Sequence, residues 1–388
     1  METLTDQDLL ARLVAFDTTS AAVQPTKPLG DAVCNYLDVP SVRIERFDCG
    51  QDQENILVAA GPECTHQEGL LLCGHVDCVP ADEPEWESDP FELQVQDDRL
   101  VARGACDMKG FDAIAINTLR RHAVSGTLKE PLMLLLTCNE EIGTIGAGQF
   151  AKAWGSRPLP RRTIIGEPTS MQPIRGHKGH IAYTIAVGGR GGHTGFPRNG
   201  SNAIELAFPV LDGLKAFRED LASERVEWSA LFPDVPQAVL TIANIRGGGA
   251  INITPESCLI KVGIRPLPGQ DAEGLATRML GYLPGARFVE TSQLGGVGDG
   301  EILVAMVNNT PSYGLDATDP FYLEVKDIVG AGSEFGANYG TDAGRLVPVG
   351  CASVVLGPGD ISVAHKPNEW MPRGEFEAAP AVLDAFIR

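Results

Sequence analysis

The apolar positions of the chain change period several times, and each change marks an element. Between residues 6 and 16, Leu9, Leu10, Leu13 and Val14 recur at helical spacing, and residues 28–37 predict a second helix. Residues 44–47 and 55–60 then read as strands. Residues 69–73 (Gly-Leu-Leu-Leu-Cys) and 131–136 (Pro-Leu-Met-Leu-Leu-Leu) are apolar without alternation, the pattern of strands buried on both faces. A helix is predicted over 109–122, where Phe111, Ile114, Ala115 and Leu119 share a side. Another runs through Phe150 and Trp154, entered by the Gly143-Thr-Ile-Gly-Ala-Gly148 segment. Strands alternating with helices imply a mainly parallel mixed sheet flanked by helices, an α/β fold.

Near residues 175–180 the pattern breaks. A strand (181–187), a helix (201–217), two strands (238–245 and 257–264), a helix (272–283) and a strand (288–291) follow. That β-α-β-β-α-β order predicts a two-layer, ferredoxin-like α+β insert. After the glycine-rich residues 295–300 the α/β pattern resumes, with a strand at 352–356 and a closing helix near 380–387. The expected division is residues 1–178 and 297–388 for the main domain and 179–296 for the insert.

Length agrees with this division, because 388 residues exceed what one hydrophobic core usually serves. A formal net charge of -20 argues against a nucleic-acid or anionic-membrane partner, since either would repel the chain. Small molecules and metal cations fit better. The start, Met-Glu-Thr-Leu-Thr-Asp-Gln-Asp, lacks the basic and apolar regions of a signal peptide, which predicts a cytoplasmic protein. The nine cysteines are odd in number and dispersed, which suits free thiols better than a disulfide framework.

Candidate chemistry gathers where strands end. Glu140 and Glu141 stand side by side after the apolar run, at a point where the chain turns and two successive carboxylates reach one crevice outside the sheet. Gly74-His75-Val76-Asp77, Gly104-Ala-Cys-Asp107-Met-Lys-Gly110, Gly166-Glu167-Pro168 and Ala364-His365-Lys-Pro-Asn-Glu369 share that setting. Mixed imidazole and carboxylate donors suit zinc and tolerate cobalt or manganese. Two such ions roughly 3.5–4 Å apart lower the pKa of a water toward about 7 and polarise a carbonyl oxygen. Amide hydrolysis then needs a carboxylate to take the water's proton and hand it to the leaving amine. Asp77 has the type and spacing to accept a hydrogen bond from the second nitrogen of His75.

In this order and at these spacings, Gly-His-Val-Asp77, Arg103-Gly-Ala-Cys-Asp107-Met-Lys-Gly110, Asn-Glu-Glu141, Gly-Glu-Pro-Thr169 and residues 356–369 resemble the M20 family of metallopeptidases and deacylases. The likeness is nearest to its acetylornithine deacetylase branch and runs from Leu9 to the C-terminal helix. The resemblance implies a zinc-exopeptidase-like catalytic domain with the insert as lid and dimerisation domain. It implies one divalent ion on His75, Asp107 and Glu167 and a second on Asp107, Glu141 and His365, with Asp107 bridging, Zn2+ first and Co2+ as the alternative. Glu140 is implied as general base and acid, and the Asp107-Met108 peptide as cis. His193 resembles the family histidine that stabilises the tetrahedral intermediate's oxygen, often across a dimer interface. Asn252 and Arg265 resemble residues that meet the substrate's carboxylate or acyl oxygen, and Thr341 stands in a substrate-side loop. Asn139, where relatives often carry an acid, departs from the pattern in a way that bears on substrate detail rather than on the metals.

The function so implied is hydrolysis of N2-acetyl-L-ornithine to ornithine and acetate, a step of arginine biosynthesis, by a cytoplasmic homodimer acting on a small N-acyl amino acid. An N-succinyl-diaminopimelate desuccinylase, or an aminoacylase or dipeptidase of the same family, remains open. A succinyl substrate brings another carboxylate and asks for more basic residues. A non-catalytic metal- or peptide-binding protein would need the ligands but has no use for Glu140. A dinucleotide-binding enzyme is disfavoured, since no strand is followed by Gly-x-Gly-x-x-Gly with its downstream acid.

Overall fold

The computed structural model describes residues 3–20, 24–330 and 334–388. The chain forms two compact units: one runs to Arg175 and takes in Leu315–Glu334 and Thr341–Arg388, the other comprises Gly176–Gly314 and Phe335–Gly340. Strands β1 (Val42–Gly50), β2 (Gln53–Ala60), β3 (Leu70–His75), β4 (Leu132–Thr137) and β5 (Arg162–Ile165) precede the second unit. That unit contributes β6 (His180–Gly188), β7 (Val239–Gly247), β8 (Ser257–Arg265), β9 (Ala286–Phe288) and β10 (Ile302–Thr310), after which β11 (Ala352–Val355) returns to the first sheet.

The first sheet has the order β1-β2-β4-β3-β5-β11. β3 and β4 are buried at every residue, which is why neither shows alternation in the sequence. The helix Gly110–Ser125 packs on β2, β3 and β4, and the helices Asp6–Val14 and Arg373–Asp384 pack on it in turn. The helix Ile145–Trp154 lies against β1 and β2, where the Phe150 ring meets Phe47 edge-on at 5.2 Å and stacks on Trp154 at 5.6 Å. β4, β3, β5 and β11 are neighbours running in one direction, so their C-terminal ends emerge side by side. That row of strand ends positions the site.

The second sheet has the order β7-β8-β6-β10-β9. β7, β8, β6 and β10 pair antiparallel in the ferredoxin-like arrangement, with the helices Phe208–Ser223 and Ala272–Gly281 burying Val210, Leu214, Phe217, Leu275 and Met279 against it. The fourth strand of that arrangement is β10, not residues 288–291. β10 pairs Val304 with Ile185 and buries Leu303, Val304 and Ala305, whereas β9 adds three parallel residues at the edge and residues 291–296 form a 3-10 turn. The chain therefore leaves the second unit at Gly314, beyond the expected residue 296. The helix expected over 201–217 is broken at Ala207 into Ala203–Leu206 and Phe208–Ser223, with Pro209 in the first turn of the second piece. The closing helix starts earlier than expected, at Arg373, because Phe376 and Ala379 already bury with Leu383.

All nine cysteines are free thiols. Among the described residues no helix is long and apolar enough to cross a membrane. Leu134 sits at the middle of the first sheet, between Val58 on β2 and Leu72 on β3, and all three side chains are fully buried. Leu134→Ala is expected to lower unfolding stability by about 2–5 kcal/mol in urea titration, the range for an aliphatic-to-alanine change in a packed core. A loss below about 1 kcal/mol would show that this site collapses around the smaller side chain.

Candidate active site

Each candidate ligand leaves the end of a parallel strand or a turn beside one. His75 is the last residue of β3, Glu140 and Glu141 follow β4, Glu167 follows β5, and His365 comes after β11 and the 3-10 turn Ile361–Val363. Asp107 lies in the irregular turn Ala105–Lys109, entered through Gly104 at φ 77° and containing a cis Asp107-Met108 peptide. The turn after β4 reverses through Asn139 at φ 55° and Thr144 at φ 55°, an unusual backbone for residues with side chains. It packs tightly: the Gly146 N–H donates to the Cys138 carbonyl at 3.1 Å, and any Cβ on Gly146 would collide with that oxygen.

These residues converge. Asp107 faces both histidines, with Oδ1 3.0 Å from His75 Nε2 and Oδ2 3.3 Å from His365 Nε2. Glu141 Oε2 is 3.0 Å from His365 Nε2, and Glu167 Oε1 is 3.9 Å from His75 Nε2. Two sets of donor atoms lie within 4.8 Å of one another: His75, Asp107 and Glu141, and His75, Glu140 and Glu167. Proximity alone therefore groups Glu140 with the ligands. A separate cavity of about 350 Å³, lined by Arg43, Leu57, Met133 and Arg157 among others, holds none of these residues.

Burial and like charge set the electrostatics. Glu140 is pushed well above the usual carboxylate range by burial and then by Glu167, and Glu167 is pushed up by burial and by Asp107. Glu141 rises to about 7 through burial and the Asp107 charge. Burial works against ionising Asp107 as well, but hydrogen bonds from His365 and His75 outweigh it and hold this carboxyl low. His365 rises to about 10 on its contacts with Asp107 and Glu141. Two imidazoles cannot offset four crowded carboxylates, so the donor set fits divalent cations on chemical grounds.

The carboxylate of Asp77 does something other than expected. The His75 Nδ1 contact, at 3.0 Å, is with the backbone oxygen of Asp77, while the nearer carboxylate oxygen stands 3.8 Å away. The carboxylate instead accepts the N–H of Glu140 on Oδ1 at 3.0 Å and of Glu141 on Oδ2 at 3.1 Å. Glu369 does the same for the Asp107 turn: Oε1 accepts the N–H groups of Cys106 and Asp107 at 2.9 and 3.0 Å, and Oε2 pairs with the buried Arg103 at 2.8 Å. Arg103 also reaches the Pro80 and Lys366 carbonyls. Glu369 and Arg103 stand inside motifs visible in the sequence, but their roles come from contacts across more than 260 positions.

The remaining candidates divide between the units. Thr341 is fully buried in the first unit, where its Oγ1 accepts the Ala343 N–H at 3.1 Å. In the second unit His193 is exposed and its Nδ1 accepts the Gly195 N–H at 2.9 Å, while the backbone of His193 bridges to Ile253 and Thr194 donates to the Asn252 carbonyl. That brings the loops of His193 and Asn252 together. Arg265 closes β8 opposite Val239, beside His180, which burial and then the Arg265 charge depress to about 4.

A mainly parallel α/β sheet with imidazoles and crowded carboxylates at its strand ends fits a metal-dependent hydrolase, and matches to a peptidase family and to an acetylornithine deacetylase show one that acts on amides. The chain belongs to peptidase family M20/M25/M40, whose pattern matches residues 71–388. It is 38% identical over 304 residues to an acetylornithine deacetylase of Klebsiella pneumoniae (strain 342), covering 78% of this chain and 75% of that one. A metallo-carboxypeptidase of the M20 family from Sulfolobus solfataricus superposes with a TM-score of 0.77 at 17% identity, over 100% of this chain and 98% of the other. A dinuclear metal binding peptidase of the M20 family from Bacillus subtilis does so with a TM-score of 0.65 at 14% identity, over 98% and 97%.

Asp77→Asn replaces one of two acceptors with an amide N–H aimed at a backbone N–H. Loss of such a supporting contact typically costs about 10–100-fold in metal affinity or activity. That loss is expected in competitive metal titrations and in amide turnover. Unchanged values for both would show that the Glu140-Glu141 turn holds its shape without Asp77.

Proposed function

We propose that the chain hydrolyses N2-acetyl-L-ornithine to L-ornithine and acetate, as a cytoplasmic homodimer in arginine biosynthesis. The observation that carries the substrate is the 38% identity, across 78% of the chain, to an acetylornithine deacetylase. On this reading His75, Asp107 and Glu167 would hold one divalent ion and Asp107, Glu141 and His365 the other, with Zn2+ favoured by the mixed donors and Co2+ the alternative. The contacts of Asp107 with both histidines support a bridging place for it. When bound, such ions polarise the amide carbonyl and make water a nucleophile near neutral pH.

The protein's own part is proton handling and orientation. Glu140 takes the proton of the attacking water and delivers it to the leaving nitrogen, a task suited to a carboxylate whose proton affinity is raised by burial and then by Glu167. Asp77 holds the Glu140 and Glu141 backbone so that their side chains keep separate tasks. His193 is assigned to the oxygen of the tetrahedral intermediate, Asn252 and Arg265 to the substrate's carboxylate or acyl oxygen, and Thr341 to its loop. A guanidinium matches a carboxylate in two-pronged fashion, which suits Arg265 to that role.

The deciding assay compares metal-reconstituted protein on N-acetylornithine, N-succinyl-diaminopimelate, N-acetylcitrulline and N-acetylmethionine. The highest kcat/KM is expected for N-acetylornithine, and a higher value for any of the others moves the assignment to that substrate. Glu140→Ala is expected to keep two metal equivalents while kcat falls by about two to four orders of magnitude, the usual share of a general base. Turnover close to wild type in that variant removes Glu140 from the role.

A further inference from the structure

The turn that carries Glu140 and Glu141 is gripped from both sides by one short segment, Thr341–Leu346, to which nothing above gives a part in catalysis beyond Thr341. On the near side, Asp342 is 2% exposed and its Oδ2 accepts the hydroxyl of Thr137, the last residue of β4, at 2.6 Å. On the far side, Arg345 reaches out of the one-turn helix Ala343–Leu346. Its Nε donates to Thr144 Oγ1 at 2.9 Å and its Nη2 to the Gly143 carbonyl at 3.3 Å. Gly143 and Thr144 are the residues whose N–H groups return to the Glu140 carbonyl, at 2.8 and 2.7 Å. Arg345 thus braces the closing hydrogen bonds of the turn, and does so at Thr144, a branched residue in the left-handed region at φ 55°.

We propose that Arg345, supported by Asp342, is a positioning residue for Glu140: it fixes the turn from which that carboxylate works and does not itself touch the substrate. A guanidinium is suited to this, because its fork donates to the carbonyl and the hydroxyl together, which an ammonium does not do with the same geometry. The chain passes from the second unit to the first between Gly340 and Thr341, directly into the brace.

The inference rests on Glu140 acting as the base, and its test is built so that the two fail separately. Arg345→Gln and Arg345→Lys are compared with wild type by metal content, by kcat and KM on the best substrate of the panel above, and by amide exchange at Gly143 and Thr144. For Arg345→Gln the expected results are two metal equivalents retained, kcat lower by about 10–100-fold as for other supporting contacts, and KM within about threefold. Exchange at Gly143 and Thr144 is expected to be at least about tenfold faster, since the turn opens more often. Arg345→Lys should recover part of both losses, and if Arg345→Gln does not fold, Arg345→Lys decides by the same readouts. A raised KM at unchanged kcat would overturn the proposal in favour of a substrate contact. Wild-type kcat with wild-type exchange would overturn it outright. If wild type hydrolyses nothing in the panel, the functional reading fails while the exchange measurement still decides whether Arg345 holds the turn.

Discussion

The structure depends on keeping several carboxylates buried together. Asp107, Glu140, Glu141 and Glu167 gather around His75 and His365, and both burial and neighbouring carboxylates oppose ionisation of the three glutamates. Such a group persists only if its geometry is imposed from outside and a positive charge is supplied within. The first condition is met by a second tier of acids that bind backbone rather than cation. Asp77 takes the N–H groups of Glu140 and Glu141, and Glu369 those of Cys106 and Asp107. Because the outer acids hold main chain, the inner side chains stay free for a cation or a proton. Arg103 balances the charge of Glu369, and its links to Pro80 and Lys366 join the segments flanking the site.

The parts of this arrangement legible in the sequence are those set by local pattern. Residues 70–73 and 132–136 announce a doubly covered sheet because every position in them is buried. Four of the five ligand-bearing stretches announce a site because each follows a strand of that sheet; the fifth, with Asp107, follows the short antiparallel strand Arg99–Val101 of another sheet. β10 was hidden by its setting. It comes after the glycine run 295–300, which reads as the end of a domain, although residues 302–307 (Ile-Leu-Val-Ala-Met-Val) are as continuously apolar as the buried strands. Residues 288–291, Phe-Val-Glu-Thr, fill that slot in the sequence because they come directly after the second helix of the motif. A strand's neighbours, unlike its period, are long-range facts.

The same distinction separates the roles that could be read from those that could not. His75-x-Asp77 is visible as a pair, and spacing suggests that the carboxylate serves the imidazole. The backbone carbonyl of Asp77 takes that place instead, and the side chain turns to residues 63 and 64 positions further on. Glu369 and Arg103 stand in recognisable motifs but without tasks, and Asp342 and Arg345, just beyond Thr341, carry none either, because their partners lie 201 to 266 positions away. Motifs show that residues belong to a site; only the fold shows which of them meets the reacting atoms and which holds another in place.

Adjacent Glu140 and Glu141 show how one turn serves two ends. Their N–H groups bind the two oxygens of a single carboxylate, so their backbones move as one body. Their side chains diverge: Glu141 joins Asp107 and His365, and Glu140 joins His75 and Glu167. The positions of the two carboxylates are therefore linked through Asp77 on one side and through Gly143 and Thr144 on the other. A displacement of this turn shifts both carboxylates together, and in an enzyme site misplacement of about 1 Å is enough to cost two orders of magnitude in rate.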